Sequence, residues 1–268
     1  MADGDDQQSL SQSIKGRLQE GVQNSVFRDK GLLDPDAVID EDRIVGRDDQ
    51  LDDIITYLRP ALQGNRPPNM LLYGPSGTGK SLIINAVCQQ VLELANAQDD
   101  RFGVIKINCQ TIKSHDRAVY RLVENAANEA NVEVGVPQSG VSTDQKLSRF
   151  YEILSNNFDS VIIILDEIDL LVGRQRDPNK EPAYSKLLYQ LSRASQLGEI
   201  EGHVSVAALT NDPRFMENLD GRAESSFNPQ DVVFSDYDAD QLQSILRRRR
   251  DAYRDDVLED GKRPYRAI

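Results

Sequence analysis

The octapeptide GPSGTGKS, Gly74 to Ser81, leaves this chain few architectures to adopt. It follows a short apolar run ending in glycine, NMLLYG (69 to 74), and opens a segment with the length and period of a buried-face helix, SLIINAVCQQVLELANA (81 to 97). A glycine-rich turn between strand and helix aims backbone N–H groups and the positive helix end at one point, which suits a phosphate. The motif nominates Gly77, Thr78, Gly79, Lys80, Ser81 and Leu82 as nucleotide-binding residues. Lys80 is placed to reach the outer phosphates, and the Ser81 hydroxyl to meet a Mg²⁺ ion.

The rest of the chain alternates strand and helix signals. VIIIL (161 to 165) is too apolar to face water on either side, so it belongs inside a parallel sheet covered on both faces. VIKIN (104 to 108), HVSVAALT (203 to 210) and VVF (232 to 234) supply further strands. Helical spacing marks 48 to 62, where Leu51, Ile54, Ile55, Leu58 and Leu62 recur and Pro60 bends or ends the helix. It also marks 117 to 130, 142 to 157 behind the cap Ser142, 183 to 196 and 239 to 253. This alternation predicts an α/β fold, a three-layer αβα sandwich around a parallel five-stranded sheet. Residues 1 to 25, polar and poor in large apolar side chains, read as a mobile tail, and the body begins near SVFRDKGLL.

Catalytic candidates sit at the predicted strand ends. Asp166 and Glu167 close VIIIL: a carboxylate there can hold a Mg²⁺ shell, and its neighbour can polarise water for attack on a γ-phosphate. Asp169, in the same segment, orients the neighbouring loop or caps it. Asn211 ends HVSVAALT; if that strand lies beside VIIIL, its amide can hydrogen-bond the attacking water, and otherwise it is a turn residue before Asp-Pro. Cys88 and Cys109 lie in apolar segments without histidines at metal spacing and read as buried, reduced thiols. Arg222, in LDGRAESS, has no strong helical or strand pattern around it.

The net charge of -13 is spread over acidic pairs such as Asp48-Asp49 and Asp255-Asp256, with Asp exceeding Glu about two to one. A dense acidic coat suits a cytoplasm of very high salt, where the Debye length falls to about 3 Å at 1 M, so the overall sign of charge does not exclude nucleic acid as a partner. No apolar run approaches the roughly 20 residues that span a bilayer, and MADGDDQQSL lacks a basic-then-apolar leader. The expected address is cytoplasmic, without membrane contact.

GPSGTGKS, ILDEID, ALTND and LDGRAESS, in this order, resemble AAA+ ATPases of the initiator group. FRDKGLL, IVGRDDQL, INCQTIKSHDRAVYRL, GVPQSGVSTDQ, EPAYSKLLYQLSRAS and FSDYDADQLQSILRRRR narrow the likeness to the archaeal origin-recognition and cell-division-control initiators, in a form similar to halophilic members. The resemblance implies ATP or ADP with Mg²⁺ and a slow ATPase gating assembly at duplex origin DNA. It further implies a replicative helicase or other initiator subunits as partners. Ile44 to Arg47 are expected to line the base pocket, Val45 first; Asn211 matches the sensor-1 position. Arg222 matches the arginine finger, which serves the nucleotide of an adjoining subunit in a homo- or hetero-oligomer.

Residues 131 to 145, with Lys146 at their edge, resemble the element that touches DNA, and their low positive charge leaves contact to backbone amides and shape. The expected organisation is tail, ATPase core over 26 to 236, and the start of a shortened helical lid over 237 to 268, without a winged helix. Arg247 to Arg250 read as a solvated helix end, so DNA binding by this chain is expected to be weak and sequence-tolerant. The alternative is a shortened initiator paralogue that binds nucleotide or protein without recognising origins.

Overall fold

Five apolar runs pair edge to edge in the computed structural model, which describes residues 44–173 and 181–248. They are β1 (Met70–Tyr73), β2 (Phe102–Asn108), β3 (Ser160–Asp166), β4 (His203–Thr210) and β5 (Gln230–Val233). Every neighbouring pair is parallel, in the order β2-β3-β4-β1-β5. The expected five-stranded parallel sheet is present, and β3 is buried along its whole length. The order matters for the site. It sets the C-terminal ends of β3, β4 and β1 side by side, and ligands of open α/β sheets bind outside those ends.

Six helices accompany the sheet: α1 (Asp48–Leu58), α2 (Lys80–Ala97), α3 (His115–Glu129), α4 (Thr143–Asn157), α5 (Ala183–Arg193) and α6 (Gly221–Phe227). Successive strand residues point to opposite faces. Val161, Ile163 and Leu165 of β3 therefore share a cluster with Leu122 of α3, Phe150 of α4 and Leu187 of α5. Ile162 and Ile164 turn to the other layer, where α1 packs on α2 and buries Ile54, Leu58, Ile83 and Val87. Local chemistry sets the helix ends. Ser142 and Gln145 form a reciprocal capping box on α4, Ser114 caps α3, and Pro60 follows α1 inside a short 3-10 turn, Arg59–Gln63.

Contacts divide the chain into Gly46–Asp238, which holds the sheet and α1 to α6, and a second unit of Met1–Val45 with Ala239–Ile268. The second unit contributes α7 (Ala239–Arg248), whose Arg248 donates to the Ile44 carbonyl at 3.1 Å. Arg247 and Arg248 fall in its last turn, as the helix dipole favours. The tail, SVFRDKGLL, the expected helix beyond 248 with Arg249 and Arg250, and GKRPYRAI lie outside the described residues. Among the described residues no helix is long and apolar enough to cross a membrane.

Lys146, at the edge of the segment expected to touch DNA, is buried. It is 1% exposed, and its ammonium donates to both carboxylate oxygens of Asp116 and to the Gln138 carbonyl, each at 2.8 Å. Arg149 reaches back from α4 in the same way, to the carbonyls of Glu133 and Val134. The segment between α3 and α4 is thus fastened through its carbonyls, and Lys146 has no proton left over for DNA. Burial pushes the Asp116 carboxyl up, but the Lys146 ammonium and the Thr143 hydroxyl outweigh it and hold it below its ordinary value.

Asp116→Asn is expected to destabilise the fold by about 2–3 kcal/mol, less than a fully buried pair because Asp116 is half exposed. Since the folded carboxyl titrates below the unfolded one, the penalty should be present above the unfolded pKa and vanish as pH falls through the folded value. Urea denaturation of both proteins across pH measures this.

Candidate active site

β1 delivers the chain into a turn that leaves no room for a side chain. A Cβ on Gly74 would lie 2.0 Å from the Phe234 carbonyl oxygen, because the exit of β5 runs directly against the turn. The turn is then closed from inside. Thr78, 2% exposed, donates its hydroxyl to the Pro75 carbonyl at 2.8 Å. The Lys80 ammonium folds back onto the carbonyls of Gly74 at 2.7 Å and Pro75 at 2.9 Å. Gly79 stands at the N-cap of α2 without any capping side chain, and the first helical bond runs from Ile83 N–H to the Gly79 carbonyl. The N–H groups of Lys80, Ser81 and Leu82 therefore face out of the helix end, where the dipole favours an anion.

The third proton of Lys80 goes to Asn211 Oδ1 at 2.8 Å, so the residue after β4 meets the turn after β1. Burial depresses the Lys80 pKa, while Asp166, Asp169 and Glu167, in that order, pull it up. Of the two readings of Asp169, the structure supports orientation of the neighbouring loop. Its Oδ1 accepts from the Thr210 hydroxyl at 2.8 Å and the Asn211 N–H at 3.4 Å.

Asp166 is the last residue of β3 and is 7% exposed, with Lys106 Nζ 3.6 Å from its carboxylate. Glu167 adopts φ 53°, a left-handed conformation that costs a non-glycine residue about 1–3 kcal/mol. Its Oε2 is buried without a hydrogen-bond partner. Strain and an unsatisfied carboxylate oxygen together mark a group positioned for something other than stability. Among the described residues no group of three or more His, Cys, Asp or Glu could hold a metal ion. Ser81 and Asp166 can contribute two oxygens to a Mg²⁺ shell whose remaining oxygens come from phosphate and water.

LDGRAESS is helical rather than irregular. Asp220 caps α6 by accepting the Arg222 N–H at 2.9 Å, and the helix is too short for its period to be read. The Arg222 side chain is 72% exposed. Its Nε donates to the same Asp220 oxygen at 3.1 Å, Nη2 lies 3.9 Å from Glu181, and the guanidinium sits 5.7 Å from the Tyr189 ring centre. The Asp220 carboxylate, backed by Glu181, raises the pKa of this arginine further.

Arg47, expected to line the base pocket, packs against the turn. It is 4% exposed, its Nε and Nη2 donate to the carbonyls of Thr78 and Ser235, and Tyr237 stacks 3.9 Å from the guanidinium. No local pattern announced this, because Thr78 and Ser235 are 31 and 188 residues away in sequence. Ile44 and Val45 belong to the other unit, where both are half-buried. Cys88 and Cys109 are buried and unpaired, and burial pushes both thiols up to about 12, which leaves them inert.

Residues 70–230 match the model of the AAA family, "ATPase family associated with various cellular activities". The chain is 62% identical over 240 residues to ORC1-type DNA replication protein 5 of Halobacterium salinarum, covering 90% of this chain and 56% of that protein. It is 36% identical over 228 residues to ORC1-type DNA replication protein 2 of the same organism, covering 84% of this chain and 81% of that one. The fold superposes with a TM-score of 0.71 on the Aeropyrum pernix ORC1 protein in complex with DNA, at 33% identity over 83% of this chain and 53% of the other. The chain thus spans a little over half the length of the first of these relatives.

Gly74→Ala should force the β5 exit away from the turn. The expected destabilisation is about 3 kcal/mol, the upper part of the range for overpacking. A parent-like urea midpoint together with parent-like nucleotide affinity would contradict the packing described.

Proposed function

The chain belongs to the ORC1-type DNA replication proteins within the AAA family of ATPases, and from that premise we propose that it is an ATP-gated replication initiator. One observation carries the reading. The Lys80 to Asn211 bond ties the phosphate-binding turn to the polar end of β4, at the sheet edge where Asp166 and Glu167 also emerge. A purely structural turn has no use for a buried lysine bound to a neighbouring strand's asparagine beside a strained, unsatisfied glutamate.

In this reading the N–H groups of Gly77 to Leu82 hold the phosphates of ATP or ADP, and Lys80 exchanges its carbonyl partners for outer phosphate oxygens. The donor set fits a magnesium nucleotide: Ser81 and Asp166 would hold the ion, which supplies charge neutralisation on the outer phosphates. Glu167 polarises water with the oxygen that has no partner in the protein, and Asn211 orients that water. Arg222, exposed and hydrogen-bonded through Nε to Asp220, acts on nucleotide held by an adjoining subunit, so hydrolysis reports assembly. Slow hydrolysis, duplex DNA at origins, and a replicative helicase or other initiator subunits complete the proposal.

Three variants separate the parts. Lys80→Ala should abolish ATP binding by calorimetry, and parent-like affinity would sink the nucleotide reading. Glu167→Gln should keep ATP binding and slow hydrolysis about 100-fold, within the range for a lost general base. Arg222→Ala should leave monomer binding intact and slow hydrolysis in assemblies about 1,000-fold, the lower end for a trans-acting arginine. Hydrolysis indifferent both to protein concentration and to that substitution would remove Arg222 from the mechanism.

A further inference from the structure

A buried arginine in an acidic chain ordinarily faces a carboxylate, since an unpaired buried charge is costly. Arg47 does not use one in any contact described above. Its guanidinium spans two backbone carbonyls that belong to different parts of the fold, Thr78 in the phosphate turn at 2.9 Å and Ser235 beyond β5 at 2.6 Å. Tyr237 stacks over it at 3.9 Å, and the Phe234 ring lies at 5.6 Å. The fork geometry of a guanidinium suits this task, because its donors leave in fixed directions.

The bond to Thr78 has a consequence one atom further along. The Thr78–Gly79 peptide is trans and planar, so its carbonyl and its N–H point in opposite directions. Holding the Thr78 carbonyl against Arg47 turns the Gly79 N–H to the far side. Gly79 has φ 94°, and glycine resists neither this peptide orientation nor its reverse. The backbone by itself therefore leaves the donor loose, and something outside it must hold the peptide. Tyr237 packs close to the same residue: its hydroxyl lies 3.0 Å from where a Gly79 Cβ would stand.

We infer that Arg47 is a positioning residue that orients the Gly79 N–H toward the polyphosphate, with Tyr237 holding its guanidinium flat. It acts on the turn through the Thr78 carbonyl, one peptide away from the Gly79 N–H. The inference rests on the nucleotide reading of the turn.

The test uses the full chain with isotope-labelled glycine and arginine. Arg47→Lys keeps the charge but cannot span two carbonyls in one plane. It should raise the Kd for ATP about tenfold, the equivalent of one oriented hydrogen bond, and KM in parallel, with kcat within about twofold by the same argument. The Gly79 amide resonance should move even without nucleotide. Arg47→Lys that lowers Tm yet leaves ATP affinity and the Gly79 resonance at parent values would overturn the inference. If the variant does not fold, the parent decides: the Arg47 Nε–H and Gly79 N–H resonances should shift together as ATP is added, and an Arg47 signal indifferent to saturation would refute the coupling. A parent that binds no ATP defeats the nucleotide reading instead, while the nucleotide-free Gly79 resonance of Arg47→Lys still judges the positioning.

Discussion

A single buried ammonium holds the parts of the site in register. Lys80 has three protons, and the structure uses all of them: two on carbonyls of its own turn and one on Asn211. Burial of that charge is unfavourable, as the depressed pKa of Lys80 records, and three nearby carboxylates offset part of it. The same carboxylates, Asp166, Glu167 and Asp169, stand at the end of β3 and in the segment that follows it. Because β4 lies between β3 and β1, one lysine on the central helix reaches the field of every strand end that matters. A sheet order that moved β4 to an edge would leave each motif intact in sequence and scatter the chemistry.

The polar residues around this ammonium divide by what their hydrogen bonds leave over. Asp169 spends its Oδ1 on Thr210 and Asn211, and the Asp212 N–H returns to the Thr210 hydroxyl, so the loop after β4 is tied at several points. Glu167 keeps an oxygen unspent and a strained backbone. Both conditions cost stability, and a buried, unsatisfied oxygen costs about 1–3 kcal/mol by itself. Such a residue persists only where its neighbours over-determine it. The Asp166 carbonyl is one of those neighbours: the Cys109 N–H holds it at 2.8 Å just before the backbone turns left-handed.

Much of this was legible in the sequence because it is local. GPSGTGKS, the aliphatic run before Asp166-Glu167 and the cap at Ser142 each carry their reason within a few residues, and their elements formed where the spacing placed them. What was not legible depends on partners far along the chain. The anchoring of Lys146 was not legible because Asp116 is 30 residues away and only the packing of α3 on α4 brings them together. The contacts of Arg47 were not legible because its partners are carbonyls, which no side-chain pattern can advertise. Arg222 lay in an apparent loop because α6 has 7 residues, a length at which periodicity carries no signal, although Asp220 followed by glycine was a readable cap.

The pair Asp220 and Arg222 carries the last step. Exposed ion pairs contribute little to stability, and this arginine side chain is 72% exposed, so the pair is not there to hold the fold. One carboxylate oxygen accepts both the Arg222 N–H and its Nε, which makes the cap of α6 and the direction of the guanidinium a single geometric fact. Fixing Nε sets the direction of the two outer nitrogens, with the Tyr189 ring centre 5.7 Å from the guanidinium and Glu181 3.9 Å from Nη2. A long, flexible side chain loses about 2 kcal/mol of rotamer freedom when a target orders it. An arginine already steered by its own helix cap has lost part of that beforehand, so it would meet an anionic target at lower entropic cost. The segment that positions it begins at Asn211, one residue beyond β4, so the group facing the chain's own phosphate turn and the group facing outward share one short stretch of backbone.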